Sequence, residues 1–291
     1  MTALRTLPAL LRLARPYQWT KNGFVLAGLL FGHAWSQPDT LRAVLWMFAS
    51  FCLASSAVYV LNDLADLEAD RRHPEKRLRP LASGALARNV AVLWSLLLAL
   101  AACALAALAS QTGLALVLAY LFLNIGYSAG AKHVPVLDVV IIATGFMLRL
   151  LAGTWGVGIA PSAWLLLCGG LMTLFLGFAK RRAEFGLGQA HTLRPALSGY
   201  SARGLDRLML LAALGCALAY VCYTLDPHTV QLHRTTHLVW TVPPVLFGLL
   251  RYGWLVQRRG AGGDPSRELL RDLPLAGAVV TWLILVLLLL Y

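Results

Sequence analysis

Nine apolar stretches, at about 18–36, 41–62, 87–109, 112–128, 135–154, 162–179, 207–225, 237–257 and 273–291, take up most of this 291-residue chain. Stretches of this length match a bilayer's hydrocarbon core, which an α-helix crosses in about 20 residues. In lipid, each backbone N–H and C=O must be paired within its own segment, so the pattern commits the chain to helices. With 59% hydrophobic and 13% charged residues, little polar surface remains for a water-soluble domain. The expected fold class is all-α, a polytopic membrane protein of about nine transmembrane helices. A single transmembrane domain is expected over 1–291. Residues 4–15 set Leu4, Leu7, Leu11 and Ala14 roughly opposite Arg5, Arg12 and Arg15, which predicts an interfacial helix within 1–16.

Lysine and arginine gather on one side. If the N-terminus is cytosolic, only Arg42 and Arg234 fall on the far side, and Arg149 lies within a span. The positive-inside rule therefore predicts a cytosolic N-terminus and active-site face, and the expected location is the inner (plasma) membrane, as a multi-pass protein. The net charge of +12 becomes a one-sided surface suited to anionic headgroups and anionic substrates. No nucleic-acid module interrupts the spans, so the expected partner is the bilayer and not nucleic acid. A homo-oligomer is compatible with this reading. All five cysteines lie inside apolar stretches without CxxC spacing, as small core residues do.

One stretch ends in Asn62-Asp63-Leu64-Ala65-Asp66-Leu67-Glu68-Ala69-Asp70. Carboxylates at that depth are costly to desolvate unless a cation compensates them. Asp63, Asp66 and Asp70 follow i, i+3, i+7 spacing, which on a helix stacks them along one face with Asn62 beside them. Asp66 and Asp70 then lie roughly 6 Å apart along the axis, close enough to share one or two hard divalent ions. Asn62, Asp63, Asp66 and Asp70 are thus candidate metal ligands, and the three aspartates candidate catalytic groups. Glu68 points away from that face. The alternative is a helix end with solvated acids, but helix C-termini disfavour negative charge.

A basic run follows, Arg71-Arg72-His73-Pro74-Glu75-Lys76-Arg77-Leu78-Arg79-Pro80. Lys76 and Arg77 are candidate phosphate ligands, although they and Arg79 could equally enforce topology or bind lipid headgroups. Pro80 and Gly84 shape the entry to the next span. A second group, Tyr127-Ser128, Lys132, His133 and Asp138, joins the fourth and fifth spans on the same side. Lys132 suits a phosphate as a point charge, Tyr127 and Ser128 donate hydroxyls, and Asp138 is a further metal or hydroxyl acceptor. Tyr127 alone more often anchors an interface, and His133 is read as incidental. Lys180, Arg181 and Arg182 end the sixth span as either substrate cations or a stop signal. Arg149 needs an anionic partner or a polar cavity, and Asp138 lies roughly 16 Å from it along a shared helix face. Trp19, Lys21 and Asn22 at the entry of the first span bind substrate or anchor the interface.

Together these residues resemble the UbiA prenyltransferase superfamily, nine-helix membrane proteins with an NDxxDxxxD motif that use Mg²⁺ and a diphosphate substrate. The match is Asn62, Asp63, Asp66 and Asp70, followed by Arg79-Pro80-Leu81-Ala82-Ser83-Gly84. Further runs resemble the decaprenyl-phosphate phosphoribosyltransferase branch. They are Arg15-Pro16-Tyr17-Gln18-Trp19-Thr20-Lys21-Asn22, His73-Pro74-Glu75-Lys76-Arg77, Tyr127-Ser128 with Lys132 and Asp138, Gly145-Phe146-Met147-Leu148-Arg149 with Ala152-Gly153, and Lys180-Arg181-Arg182-Ala183-Glu184. One departure is that the second cluster has Asp138 alone, where aromatic prenyltransferases commonly pair DxxxD. The resemblance implies a UbiA-like bundle, with 5-phosphoribosyl 1-diphosphate as donor and a long-chain polyprenyl monophosphate as acceptor. With Mg²⁺ expected on the aspartates, Lys21, Lys76, Arg77, Lys132 and Lys180 to Arg182 are candidates for the substrates' phosphates, and Arg149 is a candidate substrate-binding residue. An aromatic prenyltransferase using a prenyl diphosphate is the enzyme alternative. A transporter or lipid flippase is the alternative of another class, and the pair of interrupted spans in related halves that would favour it is not visible.

Overall fold

The computed structural model describes residues 3–32, 34–186, 195–259, 268–269 and 271–290. Among these residues every regular element is a helix. In chain order they are α1 (Ala3–Ala14), α2 (Ala27–Phe31), α3 (Pro38–Ala65), α4 (Leu67–Arg72), α5 (Arg88–Ala109) and α6 (Gln111–Ala129). They continue with α7 (Leu137–Ala152), α8 (Ala163–Gly186), α9 (Ala202–Leu225), α10 (Pro227–His233), α11 (Val242–Arg259) and α12 (Leu273–Leu290). Of the charged connector expected at 258–272, residues 260–267 and 270 lie outside the described residues, as do 187–194 of the stretch 180–206.

Among the described residues, eight helices are long and apolar enough to cross a membrane. The first expected stretch, 18–36, is helical in pieces: a 3₁₀ segment Pro16–Leu26, α2, and a 3₁₀ turn Ala34–Ser36. Pro16 disfavours helical geometry in the residue before it, so α1 stops at Ala14 and Arg15 turns the chain at φ 51°.

The described chain divides into two compact units. In the unit Met1–Ala129 with Leu148–Ala160, α3 carries a buried stripe of Val44, Met47, Phe51, Ala54 and Val58. Its spacing of three and four residues keeps one helix face inward. Ala102 and Ala106 of α5 meet it, together with Leu116, Val117 and Tyr120 of α6. Small residues at such a crossing let the backbones come close, and Ser50 donates across it to the Ala102 carbonyl at 2.7 Å. Leu13 and Ala14 of α1 are buried in a second cluster with Ala57 and Val60, while Leu7 and Leu11 are exposed. The predicted apolar face of α1 is therefore divided between protein and surroundings.

The tightest approach in this unit is between the first segment and the end of α7. A Cβ on Gly153 would stand 1.7 Å from the Val25 carbonyl oxygen, and one on Gly28 1.9 Å from that of Gly153. No rotamer relieves a clash with backbone. Gly153→Ala is expected to cost about 3 kcal/mol, seen as a lower Tm in detergent.

In the unit Gly130–Met147 with Pro161–Tyr291, Phe175, Phe178 and Ala179 of α8 pack with Leu205, Met209, Ala212 and Cys216 of α9. Leu249, Tyr252 and Val256 of α11 complete that core. Elsewhere the helices present leucine outward: Leu93, Leu96, Leu97 and Leu100 on α5, and Leu210, Leu211, Leu214 and Leu218 on α9. Only 22% of the most apolar window of α5 is buried, so lipid must cover the rest. The protein is a multi-pass membrane protein.

Candidate active site

The acidic run does not form one uninterrupted helix. α3 ends at Ala65, Asp66 adopts φ −95° and ψ 9°, and α4 begins at Leu67. Asp63 and Asp70 are both buried, and a single nitrogen of Arg79, Nη1, donates to Asp63 Oδ1 at 2.9 Å and to Asp70 Oδ2 at 2.6 Å. Arg15 Nη2 donates to Asp63 Oδ1 at 2.5 Å, and Lys76 Nζ stands 4.0 Å from Asp70 Oδ1. Asp66 is half-buried. Asn62 Oδ1 accepts from the Ser128 hydroxyl, tying the end of α3 to that of α6.

Arg79 is presented by a turn. The Ser83 N–H donates to the Arg79 carbonyl at 2.9 Å and Leu86 N–H to that of Pro80 at 3.1 Å, with Gly84 at φ 79°, where a side chain would be strained. The His73 ring accepts from the backbone N–H of Glu75 and Lys76 through Nδ1, at 3.2 and 3.3 Å, and so orders the start of the basic run. Lys76 and Arg77 themselves are exposed.

Arg149 is 5% exposed yet well solvated by protein. Its Nε donates to Asn22 Oδ1 at 2.7 Å and its Nη2 to the Tyr120 hydroxyl at 2.8 Å, with the guanidinium 4.6 Å from the Tyr120 ring centroid. Asn22 Nδ2 in turn points to Ser55 Oγ at 3.3 Å, and Trp19 Nε1 donates to Ser56 Oγ at 3.0 Å. Asn22 and Trp19 thus pin the first segment to α3 and α7. Between them Lys21 is half-buried.

The second unit holds its own buried pair. Asp138, in the first turn of α7, and Arg181 of α8 are both 0% exposed and lie 2.6 Å apart (Oδ2 to Nε). Arg181 also pairs with Glu184 through Nη1. The Tyr200 hydroxyl donates to Asp138 Oδ1 at 2.8 Å and accepts from the Val136 N–H at 2.5 Å. Burial pushes the Tyr200 phenol above its ordinary value; the Val136 N–H opposes this and Asp138 adds to it, so Tyr200 stays a donor. Val136 has φ 67°, a strained conformation for a β-branched residue, and follows the half-buried Lys132 in the same connection. Arg182 is paired with Asp206 at 2.8 Å. Lys180 and Tyr127 are half-buried at the ends of α8 and α6.

The pattern of the UbiA prenyltransferase family matches residues 23–267. The chain belongs to the UbiA prenyltransferase family. A curated relative from Corynebacterium glutamicum, named decaprenyl-phosphate phosphoribosyltransferase, is 34% identical, covering 97% of this chain and 86% of its own. One of the same name from Mycolicibacterium smegmatis is 32% identical, covering 94% and 90%. The fold is that of a UbiA homolog from Archaeoglobus fulgidus solved bound to GPP and Mg²⁺, with a TM-score of 0.75 over 97% of this chain and 99% of that one, at 17% identity.

As in the family motif, the donors here are hard oxygens, which suits a divalent ion such as Mg²⁺. Among the described residues no three His, Cys, Asp or Glu side chains converge as a ready metal cluster. The observation that favours a cation is that Asp63 and Asp70 each aim an oxygen at one Arg79 nitrogen. In the sequence Arg79 stands in a basic run suited either to phosphate or to topology, and neither it, Arg15 nor Tyr200 was expected as a partner of these carboxylates. Charge balance is the signal for the first two, since two buried carboxylates call for two cations nearby.

Proposed function

We propose that this UbiA-family chain transfers 5-phosphoribose from 5-phosphoribosyl 1-diphosphate to a long-chain polyprenyl monophosphate, releasing pyrophosphate. The observation that carries the reading is the near full-length similarity to relatives named decaprenyl-phosphate phosphoribosyltransferase, 34% and 32% identical. It is supported by a carboxylate pair surrounded by cations at the end of a membrane-length helix. The bond from ribose C1 to the diphosphate oxygen breaks, a bond from C1 to a lipid phosphate oxygen forms, and both electrons of the broken bond leave with pyrophosphate. An anionic phosphate is already a nucleophile, so no strong general base is needed.

Asn62, Asp63, Asp66 and Asp70 are assigned to hold Mg²⁺. Bound there, the ion supplies charge stabilisation to the departing diphosphate. Lys76 and Arg77 remain exposed and available to phosphate oxygens. Asp138 and Arg181, paired away from solvent, are given a positioning role toward Lys180 and the Lys132 connection. Lys21, Lys132 and Lys180 are assigned to the substrates' remaining phosphates, and the exposed leucine surfaces leave the polyprenyl tail in lipid. The active face and the N-terminus are assigned to the cytosol of the inner membrane, following the lysine and arginine bias.

The test is direct. Purified protein with Mg²⁺, 5-phosphoribosyl 1-diphosphate and polyprenyl phosphate should yield a lipid heavier by one phosphoribosyl group, by mass. Robust prenylation of an aromatic acceptor from prenyl diphosphate, with no such lipid, would overturn the donor assignment. Lys132→Ala is expected to raise the KM for one anionic substrate about tenfold with Tm unchanged, since a partly exposed cation contributes little to folding.

A further inference from the structure

Resting on that reading of the aspartates as a metal–diphosphate site, we infer that Arg79 is an exchangeable counter-cation of Asp63 and Asp70. A metal ion can reach these carboxylates only as Arg79 leaves, and the diphosphate is the anion that takes it up. The argument begins with occupancy. One Arg79 nitrogen lies within 2.9 Å of Asp63 Oδ1 and 2.6 Å of Asp70 Oδ2, so a metal bridging the same oxygens and that nitrogen cannot coexist. Charge points the same way. Two buried carboxylates are balanced by Arg15 and Arg79, and Lys76 adds a third cation at 4.0 Å. With Asp66 counted beside them, a bare divalent ion meets a site that is already near neutral, and its approach leaves a guanidinium unpaired. A diphosphate arriving with the ion carries the negative charge that re-pairs that guanidinium, in the geometry arginine makes with phosphate.

The side chains differ in their freedom to make this exchange. Arg15 is 18% exposed and is further held over the Tyr59 ring at 5.3 Å, whereas Arg79 is 29% exposed and sits on a surface turn. Arg15 is thus the resident partner of Asp63, and Arg79 the one that moves. The consequence is coupled binding. The ion alone binds weakly, ion and diphosphate together bind tightly, and each raises the other's affinity by the same factor.

Mn²⁺ binding to the detergent-solubilised full chain, followed by electron paramagnetic resonance, tests this without any turnover. For the wild type, inorganic pyrophosphate is expected to tighten Mn²⁺ binding by about tenfold or more, beyond what Mn²⁺–pyrophosphate association in solution accounts for. Arg79→Gln, which removes the competing charge, is expected to bind Mn²⁺ alone about tenfold more tightly and to lose most of the pyrophosphate effect. Arg79→Lys, which keeps a charge, should behave as wild type. Equal Mn²⁺ affinity in folded wild type and Arg79→Gln overturns the exchange while leaving the metal assignment in place. Mn²⁺ bound by neither protein, with or without pyrophosphate, overturns the exchange and the metal assignment together. The wild-type comparison needs no variant, so absence of a pyrophosphate effect there overturns the coupling even if Arg79→Gln fails to fold.

Discussion

Asp66→Asn is expected to lower turnover by about three orders of magnitude while lowering Tm less than Asp70→Asn does. The reasoning rests on where the three aspartates sit. Asp63 and Asp70 are held by arginines, so changing either alters both the proposed metal site and a buried ion-pair network. Asp66 stands at the break between α3 and α4, half-buried, and is not a member of the buried Arg15–Asp63–Arg79–Asp70 contacts. Asn retains the shape and one oxygen but removes the charge that anchors a hard divalent ion. Loss of a metal's charge stabilisation is worth several kcal/mol, and each 1.36 kcal/mol is tenfold in rate. Asp70→Asn should lose activity as fully but also lower Tm, since Arg79 and Lys76 lose a partner. Product formation by mass spectrometry and thermal unfolding in detergent measure the two effects separately. Asp66→Asn with wild-type turnover at saturating Mg²⁺ would remove Asp66 from the metal site.

How much of this was legible in the chain depends on the range over which each feature is determined. Apolar length is local, so the spans are readable residue by residue, and the eight long helices lie where the apolar stretches were expected. The first stretch is more polar than its neighbours, with Gln18, Lys21 and Asn22 at its start, and its broken form also follows from a turn forced before Pro16 and from backbone contact at Gly28 and Gly153, which pattern alone does not reveal. The acidic run was readable in composition, but its interruption at Asp66 was not. Nothing in Ala65-Asp66-Leu67 signals a break, since no Gly or Pro stands there, and what joins Asp63 to Asp70 is the Arg79 guanidinium. Desolvation cost predicted that these carboxylates need cations, but not which ones, because Arg15 lies 48 residues from Asp63. Arg149 shows the same limit. Its need for polar company was clear, while its partner Asn22 stands 127 residues away.

Arg181→Met is expected to destabilise the folded protein by about 4 kcal/mol, a larger loss than Asp138→Asn should cause. Neither Asp138 nor Arg181 has measurable exposure, so each has exchanged its hydration for the other. Removing the arginine leaves Asp138 with the Tyr200 hydroxyl and its place in the first turn of α7, where the helix dipole offsets only part of an uncompensated buried charge. Removing the acid is milder, because Glu184 still pairs with Arg181. Replacing both partners, as Asp138→Leu with Arg181→Met, should recover much of the loss, since an apolar pair carries no desolvation penalty. Thermal unfolding of the two single variants and the double variant forms a cycle whose coupling term isolates the pair. The same cycle decides between the two roles open to these residues. A substrate-facing Asp138 and Arg181 would lose activity at wild-type stability, with no coupling in Tm. A positioning pair loses stability first, and the double variant then restores folding together with a part of the turnover.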